Sequence, residues 1–125
     1  EVTHRGSEVA ILALGGFYGL GEEVRQALAV KGINATLINP RYISGIDQPL
    51  FDNLLSDHRL FVTLEDGALD GGWGEKVARH LGPTNAKVRC YGARKGFVDR
   101  YDVDEYLTLN RLKSHLIVED ILADL

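Results

Sequence analysis

Three stretches of this sequence carry residues whose types and spacing could do chemistry. The first is Gly15-Gly16-Phe17-Tyr18-Gly19-Leu20-Gly21. It lies between a strand-like run and a helix-like one, where the pyrophosphate of a dinucleotide would sit. Its spacing is G-x-x-G-x-G, not the G-x-G-x-x-G of a dinucleotide site. Glu22 and Glu23 follow at once and would repel a pyrophosphate at the helix start. Asn39-Pro40-Arg41 stands where an acid should take a ribose hydroxyl. A tight strand-to-helix turn that needs small residues accounts for this stretch better. The second is Glu65-Asp66-Gly67-Ala68-Leu69-Asp70-Gly71-Gly72-Trp73-Gly74. Its acids could hold Mg²⁺ or Ca²⁺, but without the spacing of a calcium loop. Gly71 and Gly72 open a helix whose free N–H groups could take an anion. The plainer expectation is that these glycines allow close packing while Trp73 anchors the helix. The third is the loop from Arg89 to Arg100, where Arg89, Arg94, Lys95 and Arg100 face Asp99 alone. It could bind phosphate or, as expected here, meet an acidic neighbouring domain.

Other chemistry is absent from the pattern. His4, His58, His80 and His115 show no ligand spacing, and no His stands beside a nucleophile motif. Cys90 falls in a strand-like run, where a thiol is usually an inert small hydrophobe. There is no G-x-S-x-G and no Walker loop. The residues by themselves describe no self-contained active site, metal site or cofactor site. Gly71, Gly72, Arg94, Lys95 and Arg100 remain as candidates for an anion or interdomain contact.

The elements that must position these residues alternate in period. Glu8–Leu14, Asn34–Asn39, Arg59–Glu65 and Lys87–Tyr91 read as strands, and their near-continuous apolar character predicts burial on both faces. Between them lie helical patterns. Gly19–Lys31 carries Leu20, Val24, Ala27 and Leu28 on one stripe and stops at Gly32. Its first turn would hold Glu22 and Glu23. A second helix starts at an Asp47 cap with Pro49 in its first turn. A third repeats Trp73, Val77 and Leu81 and ends at Gly82-Pro83. Asp102-Val103-Asp104-Glu105 reads as a capping box for a short helix to about Leu109. Ser114 can cap a last helix with Ile117, Ile121 and Leu125 on one face. Strands alternating with helices predict an α/β domain, a parallel sheet with right-handed crossovers and helices on both faces. The polar Glu1–Arg5 segment suits an added edge strand.

The 125 residues, 45% hydrophobic and 26% charged, make one domain with a core of its own. A net charge of −4 excludes the basic surplus of a nucleic-acid-binding domain. No apolar run approaches the roughly 20 residues of a membrane span. No signal peptide is visible, so a cytoplasmic location is expected. One cysteine excludes an internal disulfide. The chain has no Met and starts at Glu1, which leads to the expectation that it is a piece of a longer protein.

The order of these segments resembles the C-terminal domain of the transketolase family. The residues that carry the resemblance are Glu8–Gly15, Gly32–Arg41, Ile46-Asp47, Phe61–Gly67 and Gly71-Gly72-Trp73-Gly74. The tail, with Phe97-Val98-Asp99-Arg100, Glu105-Tyr106, Leu112 and Ile117–Ile121, is most similar to the 1-deoxy-D-xylulose-5-phosphate synthase branch. Gly45-Ile46-Asp47 and Arg94-Lys95-Gly96 depart from that branch's pattern. A transketolase or an α-keto-acid dehydrogenase β subunit would share the same fold. The resemblance implies a three-layer α/β/α domain with a five-stranded mixed sheet, its first strand antiparallel at the edge. It implies a dimeric parent that uses thiamine diphosphate and Mg²⁺ to join a two-carbon unit from pyruvate to glyceraldehyde 3-phosphate. The cofactor would lie between preceding domains of the same polypeptide. The resemblance therefore assigns no catalytic, cofactor-binding or metal residue to this chain, whose role would be scaffold and interface.

Overall fold

A computed structural model of the chain describes residues 2–40, 48–68, 73–93 and 111–125. Five strands form one sheet: β1 (Val2–His4), β2 (Glu8–Ala13), β3 (Thr36–Ile38), β4 (His58–Ala68) and β5 (Lys87–Ala93). Their order is β1-β3-β2-β4-β5. β2, β3, β4 and β5 run parallel, and β1 lies antiparallel on β3 at the edge. The expected mixed sheet is therefore present, polar edge strand included.

Both faces of the sheet are covered, which explains the unbroken apolar runs. Along β2, Val9, Ile11 and Ala13 join one core, while Ala10, Leu12 and, just past the strand, Leu14 join the other. The first core is closed by α1 (Tyr18–Val30) through Val24 and Leu28, and by α4 (Ser114–Asp124) through Ile117, Val118 and Ile121. The second is closed by α2 (Gln48–Leu55) through Phe51 and Leu54, and by α3 (Trp73–Leu81) through Trp73, Val77 and Leu81. This is the three-layer α/β/α arrangement.

Helix α1 shows how local chemistry fixes these layers. Gly21 faces the sheet so closely that a Cβ there would stand 2.8 Å from that of Ala13. Gly32, at φ 85°, ends the helix. Its amide donates to the Ala29 carbonyl and that of Ile33 to the Leu28 carbonyl, both at 3.0 Å, the paired bonds of a Schellman stop.

Two helix starts differ from expectation. Helix α1 begins at Tyr18, after a 3₁₀ turn over Gly15–Phe17, so its first turn holds no acid. Glu22 sits a turn later and accepts hydrogen bonds from Arg25 and Gln26 instead. In α4 the extended residue that must precede a helix is Lys113, not Ser114, and no side chain caps it. The Asp47 cap and the 102–109 helix lie outside the described residues.

The Glu22 pair yields an acid-range prediction. The Arg25 guanidinium lowers the Glu22 carboxyl from the ordinary 4.5 to about 2, with Gln26 assisting and burial opposing. A depressed carboxyl stabilises the fold fully above its unfolded value and stops doing so as pH falls through the folded one. Glu22→Gln should therefore cost stability at pH 6 and only a small part of that at pH 2, where the carboxyl is half protonated in the fold. Solvent screening limits the difference to about 0.5–1 kcal/mol. Urea midpoints of both proteins at each pH check this, and an equal gap at both would overturn it.

Candidate functional site

The chain leaves β2 toward β3 on one side and leaves β4 toward β5 on the other. The carboxyl ends of β2 and β4 therefore flank the reversal point where open α/β sheets place ligands. The Gly15–Phe17 turn stands there, tied back to the sheet by Leu14 N–H donating to the Leu64 carbonyl at 2.9 Å. Facing it is the end of β4, where the sequence analysis placed its acidic, glycine-rich stretch.

Glu65 is buried at this point. Its carboxylate accepts from the Trp73 amide at 3.1 Å and from the Gly74 amide at 2.5 Å. The first amides of α3 thus hold an anion supplied by the chain itself, eight residues upstream. The residue at 74 has to be glycine for this contact. A Cβ there would lie 2.4 Å from Thr63 Oγ1, 2.8 Å from Glu65 Oε2 and 3.1 Å from Cys90 Sγ. Thr63 and Cys90 are register partners on β4 and β5. Burial pushes the Cys90 thiol up, the Thr63 hydroxyl pulls it down, and the Glu65 and Glu75 charges raise it further. A thiol held protonated in this way is a packing group, not a nucleophile. Thr63 Oγ1 is buried without a hydrogen-bond partner in good geometry.

Glu65→Gln gives a direct test of the internal cap. Glutamine offers one oxygen for two amides and turns an NH₂ toward the other. A loss of about 2 kcal/mol is expected, read from urea denaturation. An unchanged midpoint would show that the cap contributes nothing.

The opposite, amino end of the sheet carries a second polar cluster. His58 is buried, with Nδ1 2.9 Å from the Leu54 carbonyl and 2.7 Å from Asp57 Oδ1. Two acceptors at Nδ1 place the proton there, so Nε2 accepts from the Thr36 hydroxyl at 2.7 Å. Thr36 Oγ1 in turn accepts from the Gly6 amide at 2.9 Å, and Arg5 pairs with Asp57 at 3.2 Å. Acid, imidazole and hydroxyl follow the order of a hydrolase triad, but Thr36 is fully buried and its oxygen is already engaged. The relay ties the β1–β2 connection to β3 and β4. Beside it runs an open groove of about 700 Å³ lined by residues that include Ser7, Asp57, Arg59, Thr84 and Asn85. Sequence reasoning passed over His58 as one of four scattered histidines. The adjacent Asp57 was its only signal.

A third cluster fastens α4. Arg111, at φ 56°, grips Asp120 with two bonds of 3.0 Å, and the Tyr91 hydroxyl donates to the same carboxylate at 2.6 Å. Burial raises the Tyr91 phenol and the Asp120 charge raises it further. Arg89 belongs to β5 rather than to the loop after it and is bound by Asp124, which removes it from the expected basic patch. Gly71, Gly72, Arg94, Lys95 and Arg100 lie outside the described residues.

Nothing among the described residues fits a thiamine diphosphate–Mg²⁺ site. The Trp73 and Gly74 amides at the α3 start already bind Glu65, and no three His, Cys, Asp or Glu side chains converge. No helix among them is long and apolar enough to cross a membrane.

Residues 1–112 match the family model of the transketolase C-terminal domain, and the chain belongs to that family. Its curated relatives include 1-deoxy-D-xylulose-5-phosphate synthases. That of Leifsonia xyli subsp. xyli is 33% identical over 127 residues, covering 98% of this chain and 19% of the relative. That of Acidobacterium capsulatum is 35% identical over 101 residues, covering 81% and 16%. The chain thus spans less than a fifth of these relatives' length. Among solved structures, a split-gene transketolase described as an inactive beta4 tetramer superposes with a TM-score of 0.86 over 98% of this chain and 41% of its own, at 24% identity. A Pichia stipitis transketolase gives 0.68 over 98% and 17%, at 14% identity. These two share the fold.

Proposed function

We propose that this chain is the C-terminal structural and interface domain of a thiamine-diphosphate-dependent transferase of the 1-deoxy-D-xylulose-5-phosphate synthase type. The observation that carries the reading is the similarity to such synthases along 98% of the chain but only 19% of the relative. Such a parent would combine pyruvate with glyceraldehyde 3-phosphate, a step toward isoprenoid precursors, and would work as a cytoplasmic homodimer. Thiamine diphosphate supplies the carbanion chemistry when bound, in preceding domains of the same polypeptide. What this chain supplies is a body whose described polar clusters bind its own helices and strands. Gly71, Gly72, Arg94, Lys95 and Arg100 are proposed contacts to those preceding domains or to an anion at their boundary.

The test starts from the native polypeptide. An antibody against this chain, used on an extract of the source organism, is expected to reveal a band several times larger than 13.8 kDa. The precipitate should release CO₂ from pyruvate only with glyceraldehyde 3-phosphate, thiamine diphosphate and Mg²⁺ present. A band at the size of this chain, with no such activity in the precipitate, would overturn the proposal.

A further inference from the structure

Glu8 opens β2 at φ 71°, in the left-handed region that favours glycine. Across it the Val9 amide donates to the Ser7 carbonyl at 2.8 Å. A bond from residue i+2 back to residue i, over a centre of positive φ, makes the rarer and strained form of γ-turn. The register of β2 against β4 slips at the same step, between the Glu8–His58 and Val9–Leu60 pairs. No packing demand explains a glutamate here, since its side chain is half exposed and meets Arg59 at the surface, 2.7 Å away. Strain therefore sits at the end of the three-residue connection, Arg5 to Ser7, that joins β1 to β2.

The arm before this turn is lightly held. Val2 and Thr3 are exposed, His4 is half-buried, and β1 contributes no residue to either core. It pairs with β3 alone. Its further ties are polar. Thr3 Oγ1 donates to the Leu37 carbonyl at 3.2 Å, the Tyr18 hydroxyl donates to Thr3 Oγ1 at 2.8 Å, and His4 Nε2 lies 2.8 Å from Asn34 Oδ1. Gly6 and Ser7 add amide bonds to Thr36 Oγ1 and the Asn34 carbonyl. Each tie joins the arm to the body of the domain, and none requires arm and body to belong to one chain.

A short edge strand on a strained, short connection has what strand exchange needs. We infer that residues 2–7 form an exchangeable arm: β1 of one copy lies antiparallel on β3 of a second copy, and reciprocally, with the chain straightening at Glu8. In the exchanged dimer the arm remakes its contacts across the two copies. Glu8 returns to the extended region, and the bonds at the hinge itself are given up, the Val9–Ser7 turn bond and the 2.8 Å bond from the Glu8 amide to the Asp57 carbonyl of its own copy. Relief of backbone strain at two hinges, not new contact area, drives the association, so it is concentration-dependent.

Cysteine trapping tests the exchange. Val2 and Ile38 are register partners, within reach of a disulfide. Val2→Cys and Ile38→Cys, made separately in a Cys90→Ser background, are mixed at high concentration and oxidised. A disulfide-linked heterodimer is expected. Adding Glu8→Gly to both variants should cut its yield about tenfold, because glycine holds a positive φ without strain. Failure to link, or a yield indifferent to Glu8→Gly, overturns the inference. Should Ile38→Cys fail to fold, light scattering on the otherwise unaltered chain and on Glu8→Gly decides the matter. A dimer fraction that rises with concentration and falls about tenfold in Glu8→Gly supports exchange, and a monomer at every concentration excludes it.

Discussion

Replacing Phe61 with alanine should remove about 4 kcal/mol of unfolding free energy, the largest effect expected of any single change considered. The ring is fully buried on β4, with its centroid 5.8 Å from that of Phe51 and 6.3 Å from that of His58. Its loss removes a large apolar transfer term and leaves a cavity beneath α2 and α3, walled on one side by a polar imidazole. The neighbours cannot close over it cheaply, because Leu12, Leu54 and Val77 are already fully buried in the same core. A domain of this size is typically stable by about 5–15 kcal/mol, so the variant should still fold, with a much lower urea midpoint. A loss below about 1 kcal/mol would mean that this core is not packed as described.

Gly6→Ala comes next, at about 3 kcal/mol. A Cβ on Gly6 would lie 1.9 Å from the Asn34 carbonyl oxygen and within 3 Å of two further backbone carbons, those of Asn34 and Ala35. No rotamer change relieves a clash with backbone, so the connection between β1 and β2 has to lift. Lifting it breaks the Gly6–Thr36 and Ser7–Asn34 bonds and leaves the Thr36 hydroxyl oxygen one donor short. The damage should be local as well as global. Hydrogen exchange should quicken at the β3 amides that face β1, while β4 and β5 keep their protection up to the lowered global stability. Uniform protection across β3 would show that the connection tolerates a side chain.

Much of this fold could be read directly from residue pattern, and the reason is physical. Val9 to Leu14 is apolar without a break because both faces of β2 are covered, and no exposed strand would show that. Gly32 announced the end of α1 because a Schellman stop needs a positive φ that glycine meets without strain. The polar edge segment declared itself through the charges that keep an edge from aggregating. What escaped was whatever depended on partners distant in sequence. The start of α1 shifted because the 3₁₀ turn, not the acids, sets it. The cap of α4 fell on Lys113 because backbone dihedrals, not side-chain type, define the position. Glu65 looked like a possible metal ligand until α3 was seen to fold back onto it. Arg89 reads as part of a basic loop because its partner, Asp124, lies at the far end of the chain.

Helix α4 sets a condition on when the domain can be completed. The core that α1 covers also needs Ile117, Val118 and Ile121, and the Asp120 fork that anchors them to Arg111 and Tyr91. Apart from Tyr91, all of them are made after the five described strands. A ribosome that has synthesised the whole sheet has therefore released a domain with one layer half roofed. Val24, Leu28 and Val62 stay partly uncovered until residues through Ile121 have left the exit tunnel. Until then chaperones would meet this domain through the α1 face.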